Sequence, residues 1–327
     1  MRASRCFVLV FATLSFGLAA IPAQAQDNCA PLRIITTIDI LRDMDSGAWG
    51  IPVLIGERRA VFQIATAGLQ SSISAALVDE LGLPTGASGV WLIDATGRRF
   101  QPSMVRIPTI ILGTLKGDQL PFLVEQDQGP DGIIATEILR NYDLELDFNA
   151  GKFRMIDPSH CDGRVIHWQA DTVAVAPMRI QAESGRIYVP VTVNGVRLEA
   201  MIDLARSDSV INLDIARRRL DVDINSPEVR EVGELQGPSY SAKIYETNLD
   251  TLQIEGVTVT QPLVTLMPDM IRGRISEAPP AGSLIAPPRE TRLQEVILGM
   301  SVLRHLHVYI SYRERKMYVT SPSPLTP

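Results

Sequence analysis

Few side chains in this chain of 327 residues are placed to do chemistry, and Asp203, in Met201-Ile202-Asp203-Leu204-Ala205, has the most to offer. Its carboxyl could take or give a proton if a second acid stood beside it. Asp94 lies in Asp94-Ala95-Thr96-Gly97, but Asp-x-x-Gly is ordinary turn chemistry. Asp208 falls just before an expected helix, where it would act as a cap. Ser71 and Ser209 could be nucleophiles, yet neither sits in Gly-x-Ser-x-Gly; both read as polar residues of a loop-to-helix junction. His305 and His307 are expected on one face of a strand. That spacing could hold a metal, but no His-x-x-x-His or Cys-x-x-Cys supplies further ligands. Gly-rich phosphate loops and dinucleotide fingerprints are absent too, so neither metal nor cofactor is expected.

The elements that must position these residues are written twice. Gly50-Ile51-Pro52-Val53-Leu54-Ile55 matches Tyr188-Val189-Pro190-Val191-Thr192-Val193, and the match runs ungapped to Ile64-Ala65 opposite Ile202-Asp203. Ser71 then falls opposite Ser209, and amphipathic stretches follow at Ala75–Leu83 and Leu213–Val222. Further on, Pro121-Phe122-Leu123-Val124 matches Pro262-Leu263-Val264-Thr265, and Asp131–Arg140 matches Glu295–Arg304. Each copy closes on an alternating strand, Tyr142–Phe148 and Leu306–Tyr312. The second copy is longer by a Pro-rich stretch at about 268–290, expected as an exposed loop.

Within each copy, short alternating runs bounded by Gly, Pro, Asp and Asn predict strands and hairpins. One short helix follows the first hairpin, and another begins near Thr136 or Met300. The expected fold is mainly β, with two similar lobes and few short helices. The divisions are a signal segment at 1–25, a first lobe at 26–157, a connection at 158–175, a second lobe at 176–322 and a tail at 323–327.

This order of elements resembles the bilobal aspartic proteases, and more closely the retropepsin-like proteins of bacteria, over about residues 38–322. The resemblance implies an Asp-Thr/Ser-Gly loop in each lobe, an apolar-apolar-Gly segment packed beneath it, and a flap hairpin over an interlobe cleft. Two carboxyls held close cannot both ionise, so one acts as base on a water while the protonated one polarises the peptide carbonyl. Residue by residue, the first motif holds Ala65-Thr66-Ala67 and the second Asp203-Leu204-Ala205. One acid is missing, neither loop keeps its glycine, and the supporting segments are Ile133-Ile134-Ala135 and Ile297-Leu298-Gly299. Asp94 and Gly97 fall in the flap. Asp203 is then either a surviving catalytic acid or a relic carboxylate bonded to loop amides. The resemblance implies a cleft binding an extended peptide or protein segment, with impaired catalysis. The alternative is an active endopeptidase in which Asp203 works with an unidentified or intersubunit acid.

Hydrophobic residues at 46% and charged residues at 21% exclude a disordered chain. The net charge of −6, with no basic run, excludes the usual nucleic-acid partner. Arg2 and Arg5, the apolar run Cys6–Ala20 and Ala23-Gln24-Ala25 predict a secretory signal cleaved after Ala25, hence a periplasmic or secreted protein with no membrane span once cleaved. Cys29 and Cys161 remain, and in an oxidising compartment they are either paired or two free thiols.

Overall fold

The computed structural model describes residues 29–42, 49–93, 99–126, 129–236, 241–268 and 294–321. The expected signal segment, the flap positions Asp94 and Gly97, most of the Pro-rich stretch and the tail at 323–327 lie outside these residues.

In the first copy, strand Trp49–Ile55 turns back onto Arg58–Ala65 through Gly56, whose φ of 61° suits a residue without a Cβ. Alternation decides which face is covered: Ile51, Val53, Ile55, Phe62 and Ile64 are buried, whereas Val61 is exposed. Strand Gly132–Ala135 runs parallel to Phe62–Ala65, and Ser72–Ser74 lies beyond it. The long hairpin Ser103–Leu112 and Leu115–Glu125 completes the sheet, and pairing of Leu54 and Ile55 with Ile111 and Ile110 closes the six strands into a barrel. Phe62 and Phe122 meet edge to face at 6.1 Å inside it.

The second copy repeats the pattern. Ile187–Val193 pairs with Val196–Ile202, Val296–Leu298 runs parallel to Ala200–Ile202, and Val210–Asn212 follows. Val210–Asn212 runs parallel to Leu263–Met267, which pairs with Ser241–Asn248, while Thr192 and Val193 pair with Gln253 and Leu252. Helices Ala75–Glu80 and Leu213–Arg219 are capped by Ser74 and Asn212 at equivalent places. Asn212 takes the cap expected of Asp208, because its side chain is the one that reaches the amides of Asp214 and Ile215. The short helices Thr136–Leu139 and Met300–Leu303 follow the parallel strands.

A third sheet joins the copies. Its six strands run in the order Ile34–Asp39, Lys152–Ile156, Asp143–Asp147, His307–Ser311, Lys316–Thr320 and Val173–Pro177. The closing strands of the two copies thus lie side by side, with Leu144 opposite Ile310 and Glu145 opposite Tyr309. Cys29 and Cys161 form a disulfide, with their Cα atoms 4.8 Å apart. His305 and His307 do not share a strand face: His305 lies in the exposed turn before the strand, and only His307 enters it, buried. The turn left by helix Met300–Leu303 consumes the residues that strict alternation would have assigned to the strand.

Candidate functional site

Both motif loops begin where a strand ends beside its parallel neighbour: Ala65 pairs with Ala135, and the Asp203 amide donates to the Leu298 carbonyl at 2.9 Å. The loops are held by the same bonds in each copy. The Ser71 hydroxyl accepts from the Ala135 amide at 2.9 Å, as the Ser209 hydroxyl does from the Gly299 amide at 3.0 Å. Asp131 caps the Val61 amide at 2.8 Å, as Glu295 caps Glu199 at 3.0 Å. Both serines are fully buried, so they are braces and have no access to a substrate.

The loops also grip each other. Thr66 Oγ1 donates to the Ile202 carbonyl at 2.8 Å and accepts from the Leu204 amide at 3.2 Å. On the other side Leu204 has no hydroxyl to return the bond; instead the indole of Trp49 donates to the Leu204 carbonyl at 2.5 Å. Thr66 therefore fixes the spacing of the loops from one side.

Packing beneath them differs. An added Cβ on Gly299 would lie 2.0 Å from the Asp208 carbonyl and 2.7 Å from that of Arg206, so this position admits only glycine. In the first copy the tight contact lies on the other residue: a Cβ on Gly68, which stands where the second copy has Arg206, would approach Ala135 Cβ to 3.0 Å. The small residue has changed sides of the contact.

Asp203 is mostly buried, and burial pushes its carboxyl above the usual range against the opposing pull of the Ala205 amide, Arg206 and Arg186. Its Oδ1 accepts from the Ala205 amide at 3.1 Å. Asp208 forms an ion pair with Arg206 at 2.9 Å. Arg186 reaches across from the second copy, and its Nε donates to the Ala67 carbonyl at 2.7 Å. Among the described residues no carboxylate from the first copy bonds Asp203, and Ala65 and Ala67 present buried methyl groups. Where the sequence places a flap, the short strands Leu92–Ile93 and Arg99–Phe100 pair. A longer exposed hairpin, Arg230–Gln236 with Ser241–Asn248, stands at the matching place in the second copy.

Sequence reasoning overlooked a second polar cluster, in the shared sheet. Asp143 and Glu145 are fully buried there. His160 Nε2 and Asp143 Oδ2 share a hydrogen bond at 2.6 Å, and the Tyr309 hydroxyl donates to the same oxygen at 3.1 Å. Glu145 accepts from His167 at 2.6 Å, from His307 at 3.0 Å and from Arg154. Burial pushes the Glu145 carboxyl up, but the two histidine bonds and the Arg154 charge outweigh it and hold it near about 2. Asp143 goes the other way, raised by burial. Trp168 stacks on His307 with centroids 3.9 Å apart. Asp143 occupies the position of the first copy equivalent to His307, and both side chains belong to this buried set on the shared sheet. The available signal was an acidic row, Asp143, Glu145 and Asp147, facing His307, Tyr309 and Ser311 at matched positions of the other copy.

Among the described residues no three His, Cys, Asp or Glu side chains are grouped to hold a metal ion. Two surface cavities, of about 180 and 440 Å³, are lined by residues of 190–197, 253–263, 301–306 and 321, so neither contains a motif residue. No helix of the described residues is long and apolar enough to cross a membrane. The aspartyl protease family (Asp_protease_2) matches residues 189–302, a span that contains Asp203 and Gly299. No curated protein matches the chain.

Proposed function

We propose that this is an exported aspartic-protease-like protein whose cleft binds an extended peptide or protein segment and whose hydrolytic power is impaired. The observation that carries the proposal is Ala65. It stands at the strand end equivalent to Asp203, on a loop with the same serine and carboxylate braces, and a methyl group can neither accept nor donate a proton. Loss of one member of a cooperative acid pair removes most of its rate. Binding does not need the pair, since a peptide held as an added strand is gripped by main-chain bonds. Leu69 beyond the first motif, and Val90, Trp91 and Phe100 around the flap, are exposed apolar side chains suited to such a ligand. The Cys29–Cys161 disulfide supports export to an oxidising compartment.

A second reading, an active endopeptidase, draws on the elevated Asp203 carboxyl, which is suited to be the protonated half of a pair completed from elsewhere. One assay separates the two. The purified protein is incubated with a diverse peptide library from acidic to neutral pH, beside Asp203→Asn. We expect binding without turnover; cleavage that vanishes in the variant would overturn the proposal in favour of the enzyme.

A further inference from the structure

The charges that act on Asp203 all come from its own copy, whereas the first copy brings Glu137 to its loop as a brace on the Ser71 amide at 2.7 Å. Arg186, Asp203, Arg206 and Asp208 correspond to Ala48, Ala65, Gly68 and Gln70 in the first copy. Arg206 and Asp208 neutralise each other at 2.9 Å, which leaves Arg186 and Asp203. The half-buried Arg186 spends only Nε on the protein, donating to the Ala67 carbonyl. Among the described residues its two terminal amino groups have no acceptor, and Oδ2 of Asp203 has no donor. A guanidinium anchored through Nε and open at its far end presents parallel N–H donors in the fork that fits a carboxylate.

We propose that Arg186 makes this floor a carboxylate-binding site, so that the cleft selects peptides by a carboxylate group carried either at their C-terminus or on an Asp or Glu side chain. The inference rests on the peptide-binding reading above. The two carboxyls of an intact dyad would repel such a ligand. Here one of them is absent and an arginine stands by the other. Burial favours the neutral form of Asp203, which spares an incoming anion the repulsion and supplies a further O–H donor.

The test uses fluorescein-labelled peptides of mixed sequence in three sets, measured by anisotropy against the purified protein. The first has a free C-terminal carboxylate and no Asp or Glu; the second is amidated and equally devoid of acids; the third is amidated with one internal Asp or Glu. We expect the first or the third set to bind about tenfold or more tighter than the second, the step that one charge-assisted pair supplies. The stronger set identifies the source of the carboxylate. Arg186→Gln, which can still donate to Ala67, should abolish the preference while leaving the second set unchanged, and Arg186→Lys should keep part of it. Equal binding of all three sets to the wild-type protein overturns the inference alone and needs no variant. A preference that survives in Arg186→Gln also overturns it. Binding of none of the sets overturns the inference and the peptide-binding reading together.

Discussion

Thr66→Val isolates the one hydroxyl that holds the two motif loops together. Valine keeps the shape of threonine, so no cavity opens, but the Ile202 carbonyl loses its donor and the Leu204 amide its acceptor. Ile202, Leu204 and Thr66 are all fully buried, so water cannot take the hydroxyl's place without the loops parting. Each orphaned buried group costs about 1–3 kcal/mol, which puts the variant about 2–6 kcal/mol below wild type. At roughly 2–4 °C per kcal/mol, the figure for domains of about 150–250 residues, the melting temperature should fall by about 4–24 °C. Thr66→Ser retains the hydroxyl and should lose about 1 kcal/mol or less. Urea unfolding followed by tryptophan fluorescence suits the measurement, because Trp49 bonds the carbonyl of Leu204, whose amide Thr66 holds. For the same reason Trp49→Phe and Thr66→Val should couple non-additively in a double-mutant cycle. A Thr66→Val protein within about 0.5 kcal/mol of wild type would refute the reasoning, since ordinary surface changes stay inside that margin.

Two further outcomes concern the same architecture. Glu145 has a folded-state carboxyl near about 2, below its ordinary value, so its stabilisation is present at neutral pH and disappears as pH falls from about 4.3 towards 2. The linkage is worth roughly 3 kcal/mol. Glu145→Gln should flatten the acid limb of a stability–pH curve; an unchanged slope would show that Glu145 is not the titrating group. Asp143, raised by burial, contributes in the opposite sense, its stabilisation fading as pH rises through its folded-state value, and so cannot mimic the effect. Gly299→Ala should be severely destabilising, because the added carbon meets backbone carbonyls at 2.0 and 2.7 Å, whereas Ala135→Gly should cost only about 1 kcal/mol. Equal melting temperatures for these two variants would contradict the backbone clash.

The duplication was legible because it is written in residue types that local physics constrains. Gly56 at a turn, alternating Ile51, Val53 and Ile55, and the paired apolar segments Ile133-Ile134 and Ile297-Leu298 each carry their own structural reason. Matching them fixed the element order, the equivalence of Ala65 with Asp203, and that of Ser71 with Ser209. The helix cap was misassigned because Asp208 and Asn212 both suit a cap by type, and only the path of the loop shows which reaches the amides.

What the sequence could determine by itself was therefore the plan of each copy and that Ala65 stands in one where Asp203 stands in the other. What only the tertiary structure decided was what lies between the copies. Alternation in Asp143–Asp147 and His307–Ser311 separates two faces of a strand but does not name the neighbour that covers them. The two strands pair with each other across more than half the chain, and His160, His167 and Trp168 cover the polar row, so acids that local pattern would leave in water are buried and bonded. Arg186 is the same case at the site: nothing in its own segment marks it, and its meaning comes from reaching Ala67 in the other copy. Pairing, burial and charge balance at these places depend on contacts between residues far apart in the chain, and only the folded molecule brings them together.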